Sequence, residues 1–151
     1  LALIDTKATA DGEEARANRE RVAQAVTGEA GTTALLPMLE ALLGQTTRAT
    51  LPDVVARVRQ AVLAARPEGV AWSQRAMATR PDSLELLGTL GVPAVVVVGE
   101  EDTLSPPADA RAMADALPDA VLTPVARAGH LAALEAAPSV AAALAALIQR
   151  I

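Results

Sequence analysis

The sequence lacks the residue types on which several kinds of functional site depend. It has no cysteine, which excludes disulfides and thiolate metal sites. Its single histidine, His130, excludes a metal site built from several imidazoles. The chain has 13 Lys and Arg residues and 18 Asp and Glu residues, which gives a formal net charge of -5, and no basic run is present. Nucleic acid is therefore not expected as a partner, because phosphate binding needs clustered positive charge.

Aromatic residues are almost missing as well. The chain has no Phe, no Tyr and one Trp, although 52% of its residues are hydrophobic. The core must therefore consist of Ala, Val, Leu and Ile, whose small side chains suit helices that lie close to a sheet. We expect the one aromatic side chain, Trp72, to pack among helices, with a position facing a ligand as the alternative.

Long apolar runs are also absent. The longest, residues 92–98, is far shorter than the roughly 20 residues that cross a bilayer. The first residues carry no basic region ahead of an apolar one, so a secretory signal is not expected. These features predict a cytoplasmic protein without a membrane partner. The chain opens without Met, directly in an apolar stretch, which we interpret as a sign that it was cut from a longer protein.

Three short apolar runs predict the strands of a parallel sheet: residues 1–4, 93–98 and 120–124. The second run ends in four consecutive β-branched valines followed by a glycine, which is typical of a strand buried on both faces. Helical patterns separate the three runs and follow the last one. This order predicts an α/β fold, divided into a first strand (1–6), an all-helical segment (7–83) and a part with the other two strands (84–151).

Within residues 7–83 only helical patterns are found. Asp11 and Glu14 have the spacing of a capping box at the start of a first helix. A second helix is predicted over about residues 33–43, and a third begins at Pro52, a favourable first helical residue. The fourth is predicted over about residues 70–79, after an interruption at Pro67 and Gly69. The apolar stripes on these helices are expected to pack in a core.

Two chemically informative side chains follow consecutive strands. Asp102 comes just after the second strand, and His130 lies in the loop after the third. Ligands of open α/β sheets gather at the carboxyl ends of the strands, so both side chains are expected at one functional edge. A carboxylate that accepts a hydrogen bond from imidazole Nδ1 fixes the tautomer and leaves Nε2 as a general base. We therefore predict a hydrogen-bonded acid–base pair.

The second half of the chain resembles the end of the α/β-hydrolase fold. A strand leads into G-x-x-D-x-x-x-P from Gly99, and a helix, a strand, Gly129-His130-Leu131 and a final amphipathic helix follow. The start at residues 1–5 is similar to the strand that follows the family's nucleophile helix, and residues 7–83 would be its inserted lid. The resemblance implies that Asp102 is the acid and His130 the base of a catalytic triad.

The family's nucleophile elbow, G-x-S-x-G, is absent from the chain. None of its four serines, at positions 73, 83, 105 and 139, stands between suitably placed glycines. The resemblance thus implies a chain that holds the acid, the base and the lid, with the nucleophile outside it, and that is inactive alone. Glu100 and Glu101 are weaker candidates for the acid because they lie on the exit of the strand, and Asp5 is interpreted as a turn residue.

The implied function of the parent protein is hydrolysis of an ester, a lactone or a similar small, partly apolar acyl substrate, without a cofactor. An aspartate nucleophile, as in dehalogenases and epoxide hydrolases, is equally compatible, and metal-free oxygenases and C–C hydrolases of the fold remain open. The alternative of another class is a non-catalytic fragment or binding module. Either way, the apolar edge at residues 1–4 is expected to pair with a missing N-terminal half or with a second copy.

Overall fold

The computed structural model describes all of residues 1–151. It contains three strands, nine α-helices and one 3-10 helix. The strands are β1 (Ala2–Ile4), β2 (Ala94–Gly99) and β3 (Ala120–Val125). The helices are α1 (Glu13–Thr27), a 3-10 helix (Gly31–Met38), α2 (Leu39–Leu42), α3 (Gln45–Thr50), α4 (Pro52–Ala64), α5 (Pro67–Thr79), α6 (Leu84–Leu87), α7 (Pro107–Ala116), α8 (Ala132–Glu135) and α9 (Ala137–Ile148).

The strands form one parallel sheet in the order β1-β2-β3. All six residues of β2 are buried, as the continuous β-branched run predicts for a central strand. Side chains alternate along the strand: Val95 and Val97 pack against α9, whereas Val96 and Val98 pack against α7. Burial of one such side chain contributes about 1.5–3 kcal/mol, so these valines hold both helical layers to the sheet. The predicted α/β class with a parallel sheet is confirmed.

Helices alone fill the chain between β1 and β2, and we call α1 to α5 together with the 3-10 helix the helical insert. It has its own small core, in which Ala23, Val26, Leu35 and Ala71 are buried. Helix α1 packs mainly against α5. None of the helices of the protein is both long enough and apolar enough to cross a membrane.

Some local expectations for the insert are wrong. Pro67 does not interrupt a helix but begins α5, since the first helical residue needs no backbone N–H. The expected single helix over residues 33–43 is a 3-10 helix that continues into the short α2. Helix α3, which follows it, was not expected. Trp72 is 72% exposed, so it neither packs among the helices nor lines a cavity.

The predicted capping box at Asp11 is also wrong. Gly12 is the N-cap residue of α1, and no side chain caps the helix. The Asp11 side chain is instead fully buried and ion-paired with Lys7, Arg19 and Arg80, at 3.1, 2.8 and 2.6 Å. Burial alone would raise the pKa of this carboxyl, but the three cationic partners hold it well below its usual range. Asp11 therefore joins the residues after β1 to α1 and to the end of α5.

Candidate active site

The structure brings Asp102 and His130 into direct contact. The loop after β2 carries Asp102 and the loop after β3 carries His130, and their Oδ2 and Nδ1 atoms lie 2.9 Å apart. The predicted hydrogen bond is thus confirmed. An ionised carboxylate only accepts, so Nδ1–H donates and Nε2 is left as the basic nitrogen. The Asp102 side chain is fully buried and that of His130 is 24% exposed, which leaves the imidazole accessible.

The loop after β2 holds the Asp102 carboxylate in place. Its Oδ1 atom accepts hydrogen bonds from the backbone N–H groups of Leu104, at 2.8 Å, and Ser105, at 3.0 Å. Burial by itself would raise the pKa of Asp102, but the hydrogen bonds from His130, Ser105 and Leu104 outweigh it and lower the pKa. Asp102 is therefore an anion with both oxygens engaged, one by the loop and one by the imidazole.

The Asp102 carboxylate in turn changes the pKa of the His130 imidazole. Its hydrogen bond raises the pKa of His130 above the ordinary 6.5, and burial opposes the rise. The negative charges of Asp102, Asp5 and Glu135 add to it. The structure thus stabilises the imidazolium that a general base becomes after it has accepted a proton.

Asp5 does more than the turn role expected of it. Its backbone lies in the left-handed region, with a φ of 46°, and this turns the side chain toward the strand ends. Its carboxylate accepts hydrogen bonds from Gly99 N–H, at 3.2 Å, and Ala132 N–H, at 2.9 Å. Burial raises the pKa of Asp5 to about 6, although both hydrogen bonds lower it. Asp5 thereby links the end of β1 to the end of β2 and to the residues after His130.

Glu135 holds the backbone on both sides of His130. Its Oε1 atom accepts from Gly129 N–H at 3.0 Å and from Leu131 N–H at 3.1 Å. Its Oε2 atom accepts from Gly44 N–H, at 2.8 Å, which belongs to the helical insert. One carboxylate therefore fixes the loop that presents the imidazole and attaches that loop to the insert.

The chain segments that meet at this point leave no room for side chains. A Cβ atom on Gly129 would collide with the backbone of Leu43 and Gly44, and one on Gly99 would collide with the carbonyls of Ala128 and Gly129. Glu101, considered only as a weak candidate for the acid, does not reach His130. It accepts from Thr46 through both carboxylate oxygens, and these bonds lower the pKa of Glu101. Glu101 thus attaches α3 to the end of β2.

A cavity of about 250 Å³ lies beside the imidazole. Its walls come from both parts of the chain. The residues after β1, the loop after β2 and His130 form one side, and the 3-10 helix, α1, α2 and α5 form the other. The lining residues are Asp5, Thr6, Lys7, Arg19, Met38, Leu42, Gln74, Met77, Arg80, Leu104, Ser105 and His130. The helical insert thus faces the carboxyl end of the sheet, where the acid–base pair lies.

Known structures share this fold. A thermophilic esterase from Thermogutta terrifontis, in a structure described as malate bound, is 38% identical and superposes with a TM-score of 0.93 over 99% of this chain. The chain belongs to the α/β-hydrolase superfamily. Two further hydrolase-fold neighbours are an enol-lactonase from Burkholderia xenovorans, 25% identical with a TM-score of 0.85, and MenH from S. aureus, 19% identical with a TM-score of 0.82.

This α/β-hydrolase chain spans little more than half the length of those proteins. It covers 55% of the esterase chain, 55% of the enol-lactonase chain and 59% of the MenH chain, while 98–99% of its own residues are matched. Protein-family models and curated protein sequences yield no match to the chain.

The sequence predicts the hydrogen-bonded pair of Asp102 and His130 but not the side chains that hold it in place. The only sequence signal for Glu135 is that an acidic residue stands five positions after the histidine. Glu101, Thr46 and Gly44 carry no comparable signal, because they meet only through the fold.

Proposed function

We propose that the chain supplies the base, its orienting acid and the substrate cavity of a hydrolase that acts on an ester, a lactone or a similar small acyl compound. The observation that carries the proposal is the 2.9 Å contact between Asp102 and His130 at the wall of a cavity. The membership of the superfamily and the likeness to an esterase and an enol-lactonase support it.

In the proposed reaction, His130 acts first as a base and then as an acid. Its Nε2 atom removes the proton of a nucleophile that lies outside these 151 residues, and the nucleophile attacks the acyl carbon. The imidazolium, stabilised by Asp102, then protonates the leaving oxygen. In the second half, Nε2 takes a proton from water while the water oxygen attacks the acyl carbon. The bond between that carbon and the nucleophile then breaks, the acid leaves, and the imidazolium returns its proton to the nucleophile.

The proposed role of the helical insert is that of a lid. It closes the cavity with Met38, Leu42 and Met77, and apolar walls of this kind exclude water and favour a small, partly apolar acyl group. Glu135 and Glu101 attach the insert to the loops that carry the acid–base pair, so movement of the lid and orientation of His130 would be coupled.

The identity of the nucleophile tests the proposal directly. The complete polypeptide that contains this chain is treated with a fluorophosphonate, and the modified peptide is mapped by mass spectrometry. We expect a modified serine outside the 151 residues, with labelling lost in His130→Ala. An aspartate nucleophile would escape the label but would take up ¹⁸O during single turnover in H₂¹⁸O. If neither modification is detected, the result would instead favour a binding module, the alternative that the absence of G-x-S-x-G supports.

The Glu135→Gln variant tests the positioning of His130. An amide has a single acceptor oxygen, so either the Gly44 N–H or the two loop N–H groups of Gly129 and Leu131 lose their acceptor and face an NH₂ group instead. We expect kcat/KM for an ester to fall by about tenfold, the effect of a slightly misplaced base. Loss of the negative charge should also lower the pKa of His130, which moves the acidic limb of the pH profile to lower pH.

The matched control is Glu85→Gln, at an exposed position of α6. It should change neither kcat/KM nor the pH profile. If Glu135→Gln lowered only the thermal stability and left the acidic limb in place, Glu135 would be structural and would not position the base.

A further inference from the structure

The cavity beside His130 carries a cluster of positive charge. Lys7, Arg19 and Arg80 all line the cavity, and all three contact the same buried carboxylate, that of Asp11. Their side chains are 21%, 24% and 24% exposed, so none of them extends freely into bulk water. We call these three residues the cationic cluster.

The cluster is not neutralised within the protein. Three positive charges share one carboxylate, which leaves a surplus of two, and the remaining partner of Arg19 is the neutral amide of Gln74, at 3.2 Å. The buried Nε–H of Arg80 has no hydrogen-bond acceptor. Surplus cations that are only partly exposed to water are costly, and an anion that enters the cavity would neutralise them.

The other ionisable groups at the cavity carry no permanent positive charge. They are Asp5, His130 and Asp102, which is hydrogen-bonded to His130. Two carboxylates and one imidazole offer no place for an anion, and Nε2 of His130 is required for the chemistry. An anionic group on a substrate would therefore be directed to the cationic cluster, with the reactive carbonyl left at the imidazole.

We propose that the substrate carries a carboxylate, which binds Lys7, Arg19 and Arg80 while its ester or lactone bond lies at His130. This proposal rests on the proposed function. The cationic cluster and His130 line the same cavity of about 250 Å³, so a short acyl chain would join the two groups of the substrate. Guanidinium groups match the planar fork of a carboxylate. The side chains of Met38, Leu42 and Met77 would pack against the substrate carbons that lie between its carboxylate and its ester or lactone bond. The substrate class is thus the monoester or lactone of a small dicarboxylic acid.

The test compares two esters that differ only in charge. The complete polypeptide hydrolyses p-nitrophenyl hemiglutarate and its methyl ester, which share the leaving group and the chain length. We expect kcat/KM for the anionic ester to be higher by about tenfold or more, since a charged hydrogen-bonded partner is gained. Equal values, or a preference for the methyl ester, would overturn the proposal.

A pair of variants assigns the preference to the cluster. Lys7→Met removes one cation and leaves Asp11 with two guanidinium partners, so the fold is retained. It should reduce the anionic preference severalfold. Arg75→Met is the control, because Arg75 lies on α5 in an exposed ion pair with Glu20, away from the cavity. It should leave the ratio unchanged, and a ratio that falls equally in both variants would contradict the assignment.

Glutarate binding separates this inference from the proposed hydrolysis. Calorimetry on the same polypeptide should detect glutarate, with weaker binding in Lys7→Met than in Arg75→Met. If glutarate binds in this way while neither ester is hydrolysed, the hydrolase proposal fails and the anion site stands. If both esters are hydrolysed at the same rate and glutarate does not bind, the anion site is refuted and the hydrolase proposal stands.

Discussion

The His130→Ala variant of the complete polypeptide should lose ester hydrolysis almost entirely. General acid–base catalysis contributes roughly 10²- to 10⁴-fold, and His130 performs two proton transfers in the proposed reaction, so we expect kcat/KM to fall by about 10³-fold or more. Steady-state kinetics with a short-chain aryl ester measures the loss. Thermal unfolding of the same variant serves as the control, because the activity must disappear while the fold persists.

The pH dependence of the proposed hydrolysis follows from the same pair. A general base must be neutral, so kcat/KM should fall as the pH drops through the pKa of His130, which the Asp102 hydrogen bond raises above 6.5. Asp102→Asn removes that support and should move the limb to lower pH while reducing the maximal rate. Retention of wild-type activity in His130→Ala would refute the base assignment.

The second large effect concerns the 151 residues expressed alone. The outer edge of β1 has no strand beside it, and its backbone groups on that side are unpaired. Leu1, Val121 and Ile148 are among the apolar side chains that remain exposed, at 38%, 49% and 70%. An unpaired strand edge and an exposed apolar surface both favour association with another polypeptide. We expect this chain to associate with itself or with a complementary polypeptide, and to show no His130-dependent turnover.

Light scattering and an aryl-ester assay on the isolated span check this expectation. The complete polypeptide, measured in the same buffers, is the matched control and should be active. A monodisperse monomer that unfolds cooperatively and loses its activity on His130→Ala would contradict the proposal that the nucleophile lies outside the chain.

Where local pattern decides the structure, the sequence is a sufficient guide. The run of valines before Gly99 can be little other than a buried parallel strand, and β2 follows it closely. The two later strands place Asp102 and His130 at one edge for topological reasons, because parallel strands end on the same side. That is why their hydrogen bond could be predicted without any knowledge of the distances between elements.

Where tertiary contacts compete with local preference, the sequence misleads. Asp11 has the spacing of a helix cap, yet its carboxylate forms ion pairs with three cations from different parts of the chain. These three ion pairs replace the single hydrogen bond that a cap would make to a backbone N–H. Trp72 was expected to be covered on account of its size, but the faces of α5 that pack use small residues such as Ala71. The roles of Asp5 and Glu135 depend on backbone groups far away in sequence, which no motif records.

The central claim is that the Asp102 carboxylate raises the pKa of His130 and orients its imidazole. An NMR titration of that imidazole tests the claim most directly. The resonance is assigned by its absence in His130→Ala. We predict a pKa for His130 above 6.5 in the unmodified protein, and a lower value in Asp102→Asn because the stabilising negative charge is gone. A pKa at or below 6.5 that does not change in Asp102→Asn would contradict the account.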